Sequence, residues 1–162
     1  MHALVLAILL AIGAVSVAES GGWQVICTTT PGKTYDYCRI SRTVVHRFSD
    51  GTEIKVLVVA GYSKDFFTRS SESRVTVSVG NRRLSKVSIK IDSLDQTVQC
   101  SKNAYTFDKF WSTALIFEFL VPITKPAIAI MKLRMLNPPR ITVVKLPLKG
   151  FREKFRSTVR VD

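Results

Sequence analysis

Few side chains in this chain are equipped for covalent or metal chemistry. The 162 residues include three cysteines, Cys27, Cys38 and Cys100, and two histidines, His2 and His46. A transition-metal site draws on clustered imidazole, thiolate and carboxylate ligands. The sequence has neither an H-x-x-x-H nor a C-x-x-C spacing. A thiol nucleophile at Cys100 needs a base beside it, and past the first residues only His46 offers one. His46 follows Val45 on a strand with outward polar alternation, and reads as a structural or exposed imidazole. Asp92 and Asp95 are a close carboxylate pair of the kind that does acid–base work in a cleft. They are expected in a loop, where a solvated charge is the simpler reading. There is no G-x-S-x-G elbow and no phosphate loop, and Gly80-Asn81-Arg82 reads as a turn. The expectation is a non-enzymatic protein with no catalytic residue, no metal and no cofactor.

The compartment follows from the first residues. Ala3 to Val15 is an almost unbroken apolar run, followed by Ser16-Val17-Ala18 and then polar Glu19-Ser20-Gly21-Gly22. The run is short for a bilayer span, which takes roughly 20 apolar residues, and it ends in a small-x-small cleavage pattern. Residues 1–18 are therefore expected to be a signal peptide, and 19–162 a single exported domain. Export places the cysteines in an oxidising space, where pairing is expected. Cys27 and Cys38 flank a loop containing Pro31-Gly32, so a local bridge between them is easy to close. By chain entropy such a bridge contributes about 2–3 kcal/mol. Cys100 is then left unpaired within the chain, either buried and inert or linking two chains in a disulfide-bonded dimer.

Most of the exported chain alternates with period two. Strands are expected over 23–27, 37–48, 53–60, 74–79 and 86–91, with a turn at Ser49-Asp50-Gly51 and a loop over 61–73 that carries Phe66 and Phe67. Phe107 to Leu120 changes to helical spacing and reads as a helix ended by Pro122, with a pair of buried strands as the alternative. Strands 127–136 and 140–146 are separated by Asn137-Pro138-Pro139, a hairpin with a rigid tip. Lys149 to Val159 reads as a short basic helix with Phe151 and Phe155 on one face, the usual spacing of a docking face. The expected fold is mainly β, an antiparallel sandwich-like single domain with one or two appended short helices.

Charge is the positive signal. The formal net charge is +12, and residues 122–162 hold ten Lys or Arg against two acidic residues, a net of +8. Two thirds of the excess charge thus sits in about a quarter of the chain. Such a surface attracts polyanions. The residues expected to carry binding are Lys132, Arg134, Lys149, Arg152, Lys154 and Arg156. Packing of the 127–146 hairpin against the basic helix would gather them on one surface. The expected partner is an anionic envelope or host-surface component, a lipid headgroup or an acidic polysaccharide. Nucleic acid is not expected for an exported chain that lacks an aromatic stripe among its basic residues.

Several residues also fit a known pattern. Trp23 precedes Cys27, Cys38-Arg39-Ile40-Ser41 follows about a dozen residues on, and Ile141-Thr142-Val143-Val144 leads into Leu146-Pro147-Leu148-Lys149-Gly150-Phe151-Arg152-Glu153-Lys154-Phe155. On these anchors the chain resembles the invasion-associated locus B family of bacterial exported proteins, over most of its length past residue 18. The opening W-x-x-x-C and the closing L-x-G-F are the most telling. The resemblance implies a small β-sandwich-like domain in the periplasm or on the cell surface of a Gram-negative bacterium, with a role in host-cell invasion (virulence) or in the envelope. It supplies no catalytic residues. One departure is Cys100, which stands alone before Ser101-Lys102-Asn103 where many members carry a second cysteine pair. The leading reading is an exported binding protein with a basic surface. The alternative is a periplasmic structural or chaperone-like factor that binds other envelope proteins through an exposed strand edge.

Overall fold

Period-two alternation builds most of the molecule. The computed structural model describes residues 22–29, 36–64, 71–80, 82–99, 104–123 and 127–158. The expected signal peptide, Pro31-Gly32, Phe66, Phe67 and Cys100 lie outside the described residues. Among the described residues nine strands form two antiparallel sheets. The first has the order β1 (Gln24–Thr29), β2 (Asp36–Arg47), β3 (Glu53–Lys64), β4 (Ser71–Val79), β7 (Ala104–Thr106). The second has the order β6 (Leu94–Gln99), β5 (Leu84–Ile91), β8 (Ile128–Met135), β9 (Arg140–Pro147). Among the described residues there are also two helices, α1 (Lys109–Phe119) and α2 (Phe151–Thr158). The fold is the expected mainly-β domain with two short helices.

The inward rows of both sheets share one core. Ile54, Val56, Val58 and Ala60 of β3 meet Val75, Val77 and Val79 of β4, and the second sheet supplies Val87 and Ile89 of β5 with Ala129, Met131, Leu133 and Met135 of β8. In β8 every second residue is buried and the residues between them are exposed, so Ile128, Ile130, Lys132 and Arg134 line the outer face. β5 contains one irregularity: the register with β8 shifts between Leu84 and Lys86, as at a bulge, which turns both Leu84 and Val87 inward. Tyr105 of β7 donates its buried hydroxyl hydrogen to the Leu84 carbonyl and ties the two sheets together.

Within the loop expected over 61–73, the described residues 61–64 and 71–73 are strand. β3 continues to Lys64 and β4 starts at Ser71, with Lys64 opposite Ser71. Gly61 does not break the strand; Tyr37 lies across it, and a Cβ there would collide with the Tyr37 hydroxyl oxygen. The short β6 and β7 are further strands that the sequence pattern did not announce. Asp92 does occupy a turn, with φ of 52°, whereas Asp95 is in β6 rather than in a loop.

Helix α1 begins where Asp108 accepts a hydrogen bond from the Trp111 amide at 2.8 Å, an N-cap interaction. Its fully buried Ser112 donates to the Phe107 carbonyl at 3.0 Å and accepts from the Val75 amide at 2.9 Å, which pins the helix to β4. Helix α2 follows Gly150, whose φ of +90° suits only glycine without strain. Phe151 is buried edge-on to Trp23 at 4.9 Å and to Phe119 at 5.2 Å, and Phe155 packs on Tyr62 at 5.3 Å. The two phenylalanines are a docking face, as expected. Trp23 also donates its indole hydrogen to the Pro147 carbonyl at 3.1 Å. The opening Trp23 and the closing Leu148-Lys149-Gly150-Phe151 segment therefore meet in space.

Candidate anion-binding site

The outer face of the second sheet brings cations together from strands distant in sequence. Strand alternation points Lys86 and Ser88 of β5 outward beside Lys132 and Arg134 of β8. Antiparallel register then sets Lys86 directly opposite Arg134, and Ser88 opposite Lys132. β6 adds Thr97 opposite Ser88, and Asp95 opposite Lys90. The result is a recess of about 360 Å³ lined by Lys86, Ser88, Asp95, Thr97, Lys132, Arg134 and, from β9, Ile141. Three cations face one carboxylate there. Among the described residues none of the three forms an ion pair.

Like charges directly opposite each other on one face of a sheet are destabilising. The Lys86–Arg134 pair is such an arrangement, with Lys132 two positions along the same row. A bound anion between them turns repulsion into attraction, and the Ser88 and Thr97 hydroxyls can donate to its oxygens. A larger recess of about 470 Å³ contrasts with this one. It is lined by Tyr37, Glu72, Arg74, Asp108 and Lys109 among others, so cations and carboxylates balance and it has no preference for anions.

The six cations singled out in the sequence fall into separate places. Lys132 and Arg134 are in the recess just described. Arg152 and Arg156 lie on one face of α2, beside Leu120, Val121, Ile123 and Phe155. Lys149 is exposed in the turn before α2, and Lys154 is exposed on the helix. The expected gathering on one surface does not occur, because α2 packs on β1 and β2 of the first sheet and not on the β8–β9 hairpin. Lys86 was missed. Its outward phase beside Val87 and Ile89 is readable in the sequence, but its register with β8 spans β6, β7 and α1.

The cysteine pair and the histidine lie elsewhere in the fold. Cys27 and Cys38 are opposed on β1 and β2 and are joined by a disulfide. His46 is half-buried on the inward row of β2, edge-on to Phe48 at 5.0 Å, and Arg140 lies over the Phe48 ring at 3.7 Å. Arg42 occupies the same inward row, opposite Val58, and its burial pushes the guanidinium below its ordinary pKa. Among the described residues no three His, Cys, Asp or Glu side chains come together as a metal site, and no helix is long and apolar enough to cross a membrane. No family model, curated protein or solved structure matches the chain.

Proposed function

We propose that this is a non-enzymatic exported protein, of the kind the invasion-associated locus B resemblance implies, that holds an acidic polysaccharide of the envelope or host surface on the outer face of its second sheet. The observation that carries the reading is the Lys86–Arg134 opposition, without an ion-pair partner among the described residues, with Lys132 beside it. A sheet selected for stability alone would alternate charge signs there. The flanking hydroxyls of Ser88 and Thr97 and the exposed side chain of Ile141 suit a sugar polymer, which presents both polar edges and C–H faces. The proposed location is the periplasm or the cell surface.

The test is binding of the mature chain to dextran sulfate and to neutral dextran at low and high salt. The probe should bind only when sulfated, and weaken steeply with salt. Neutralising Lys86, Lys132 and Arg134 to Gln should weaken it roughly a hundredfold, each charge-assisted contact contributing about 1 kcal/mol or somewhat more. Unchanged binding by the triple variant would refute the site. A second reading rests on β9, an edge strand with exposed Ile141 and Val143. Addition of a partner strand there would make the protein a chaperone-like envelope factor, and its binding would be insensitive to salt.

A further inference from the structure

The corner between α1 and β8 is apolar where a soluble surface is usually polar. Val121 is 50% exposed and Ile123 is 72% exposed. With Leu120 and Phe155 they line an open recess of about 500 Å³, whose other walls are Arg152 and Arg156. Val121 also lines the next recess, with Ile128 and Ile130 of β8, so the apolar surface runs on past the corner. The two arginines are one helical turn apart on α2. Like charges at that spacing destabilise a helix, and among the described residues neither has an ion-pair partner. Glu153 is exposed on the same helix and pairs with neither. Asp92 and Glu118 lie beside the second recess, with Lys90, and not in the walls of the first.

We propose that this corner docks on an anionic phospholipid surface, with Val121 and Ile123 inserted at the headgroup–acyl boundary and Arg152 and Arg156 on lipid phosphates. The proposal is independent of the polysaccharide reading, since it uses other residues. A bilayer interface offers what both halves of the corner need: apolar depth for two aliphatic side chains, and phosphate oxygens for planar guanidinium groups. The net charge of +12 adds long-range attraction to an anionic leaflet. A second copy is the poorer occupant. A two-fold interface through this corner would bring four arginines together in a recess whose walls hold no carboxylate among the described residues.

The test uses the mature chain and vesicles of phosphatidylcholine alone or with about a third phosphatidylglycerol, followed by co-sedimentation. Binding is expected to the anionic vesicles and not to the neutral ones. Arg152→Gln with Arg156→Gln should weaken it about 30-fold, from two surface charges. Val121→Ser with Ile123→Ser, which keeps every charge, should weaken it at least tenfold through lost apolar burial. These four positions are exposed or half-buried, so circular dichroism should show all variants folded. Equal binding to both vesicle types, or no loss in the Val121/Ile123 variant, overturns the proposal. So does a concentration-dependent dimer in sedimentation velocity that the Ile123 substitution abolishes, since the corner would then be a subunit interface.

Discussion

Replacing Arg134 with Thr should stabilise the fold while it weakens anion binding. Arg134 and Lys86 are directly opposed on the outer face of the second sheet. Long side chains at such positions hold their charges about 6–8 Å apart, for which Coulomb's law in water gives about 0.5–0.7 kcal/mol of repulsion. A double-mutant cycle with Lys86→Thr and Arg134→Thr isolates that energy from the aliphatic packing of each side chain. Urea unfolding at about 10 mM salt should show the coupling nearly in full. At 0.15 M, where the Debye length is about 8 Å, it should fall to roughly 0.2–0.3 kcal/mol, and at 1 M it should vanish. Saturating dextran sulfate should reverse the sign, because the anion binds the native state through both cations. Zero or attractive coupling at low salt would show that the two cations do not repel each other. So would coupling that is the same at 10 mM and 1 M.

Three further predictions test how the frame holds this surface. Ser112→Ala removes the acceptor of the buried Val75 amide and should cost about 1–3 kcal/mol in thermal or urea unfolding, with α1 the first element to lose amide-exchange protection. Burial raises the Tyr105 phenol above its ordinary pKa. The stability it contributes is therefore complete below the unfolded value of about 10 and is lost as pH rises through the higher folded value; Tyr105→Phe should cost about 1 kcal/mol at neutral pH and flatten that alkaline decline. Among the described residues the buried Thr142 hydroxyl has no hydrogen-bond partner, so Thr142→Val should raise stability by about 1 kcal/mol, read as the urea midpoint.

The inward half of each strand was legible because burial writes itself into single residues. Val75, Val77 and Val79, or Ala129, Met131, Leu133 and Met135, reveal a core face without any knowledge of their neighbours. β6 was not legible, since its inward row of Leu94, Gln96 and Val98 is only half-buried and mixes a polar residue into the pattern. Arg42 and His46 sit on the inward row of β2, where alternation leads one to expect apolar residues. The proposed binding face was legible only by half. Lys132 and Arg134 declared a shared face through their spacing, but their grouping with Lys86 is set by strand pairing across more than forty residues. Nearness in sequence grouped them instead with Arg152 and Arg156, and the turn at Leu148–Gly150 carries that helix to the other sheet.

One strand connects the two proposed surfaces. The outer row of β8 runs Ile128, Ile130, Lys132, Arg134, apolar beside the corner and basic in the recess. At about 3.3 Å per residue, Lys132 and Arg134 lie roughly 13 and 20 Å along the strand from Ile128, which lines the recess shared with Val121, beyond the Debye length of about 8 Å at physiological salt. The cations of the recess therefore add little to the field at the lipid-facing corner under those conditions, and neutralising them should leave vesicle binding within about twofold of wild type. At about 10 mM salt the Debye length grows to roughly 30 Å and both groups act as one charged surface. The sheet residues should then begin to matter for lipid. That crossover would separate two sites on one strand from a single diffuse basic surface, for which every charge would contribute to both ligands at every salt concentration.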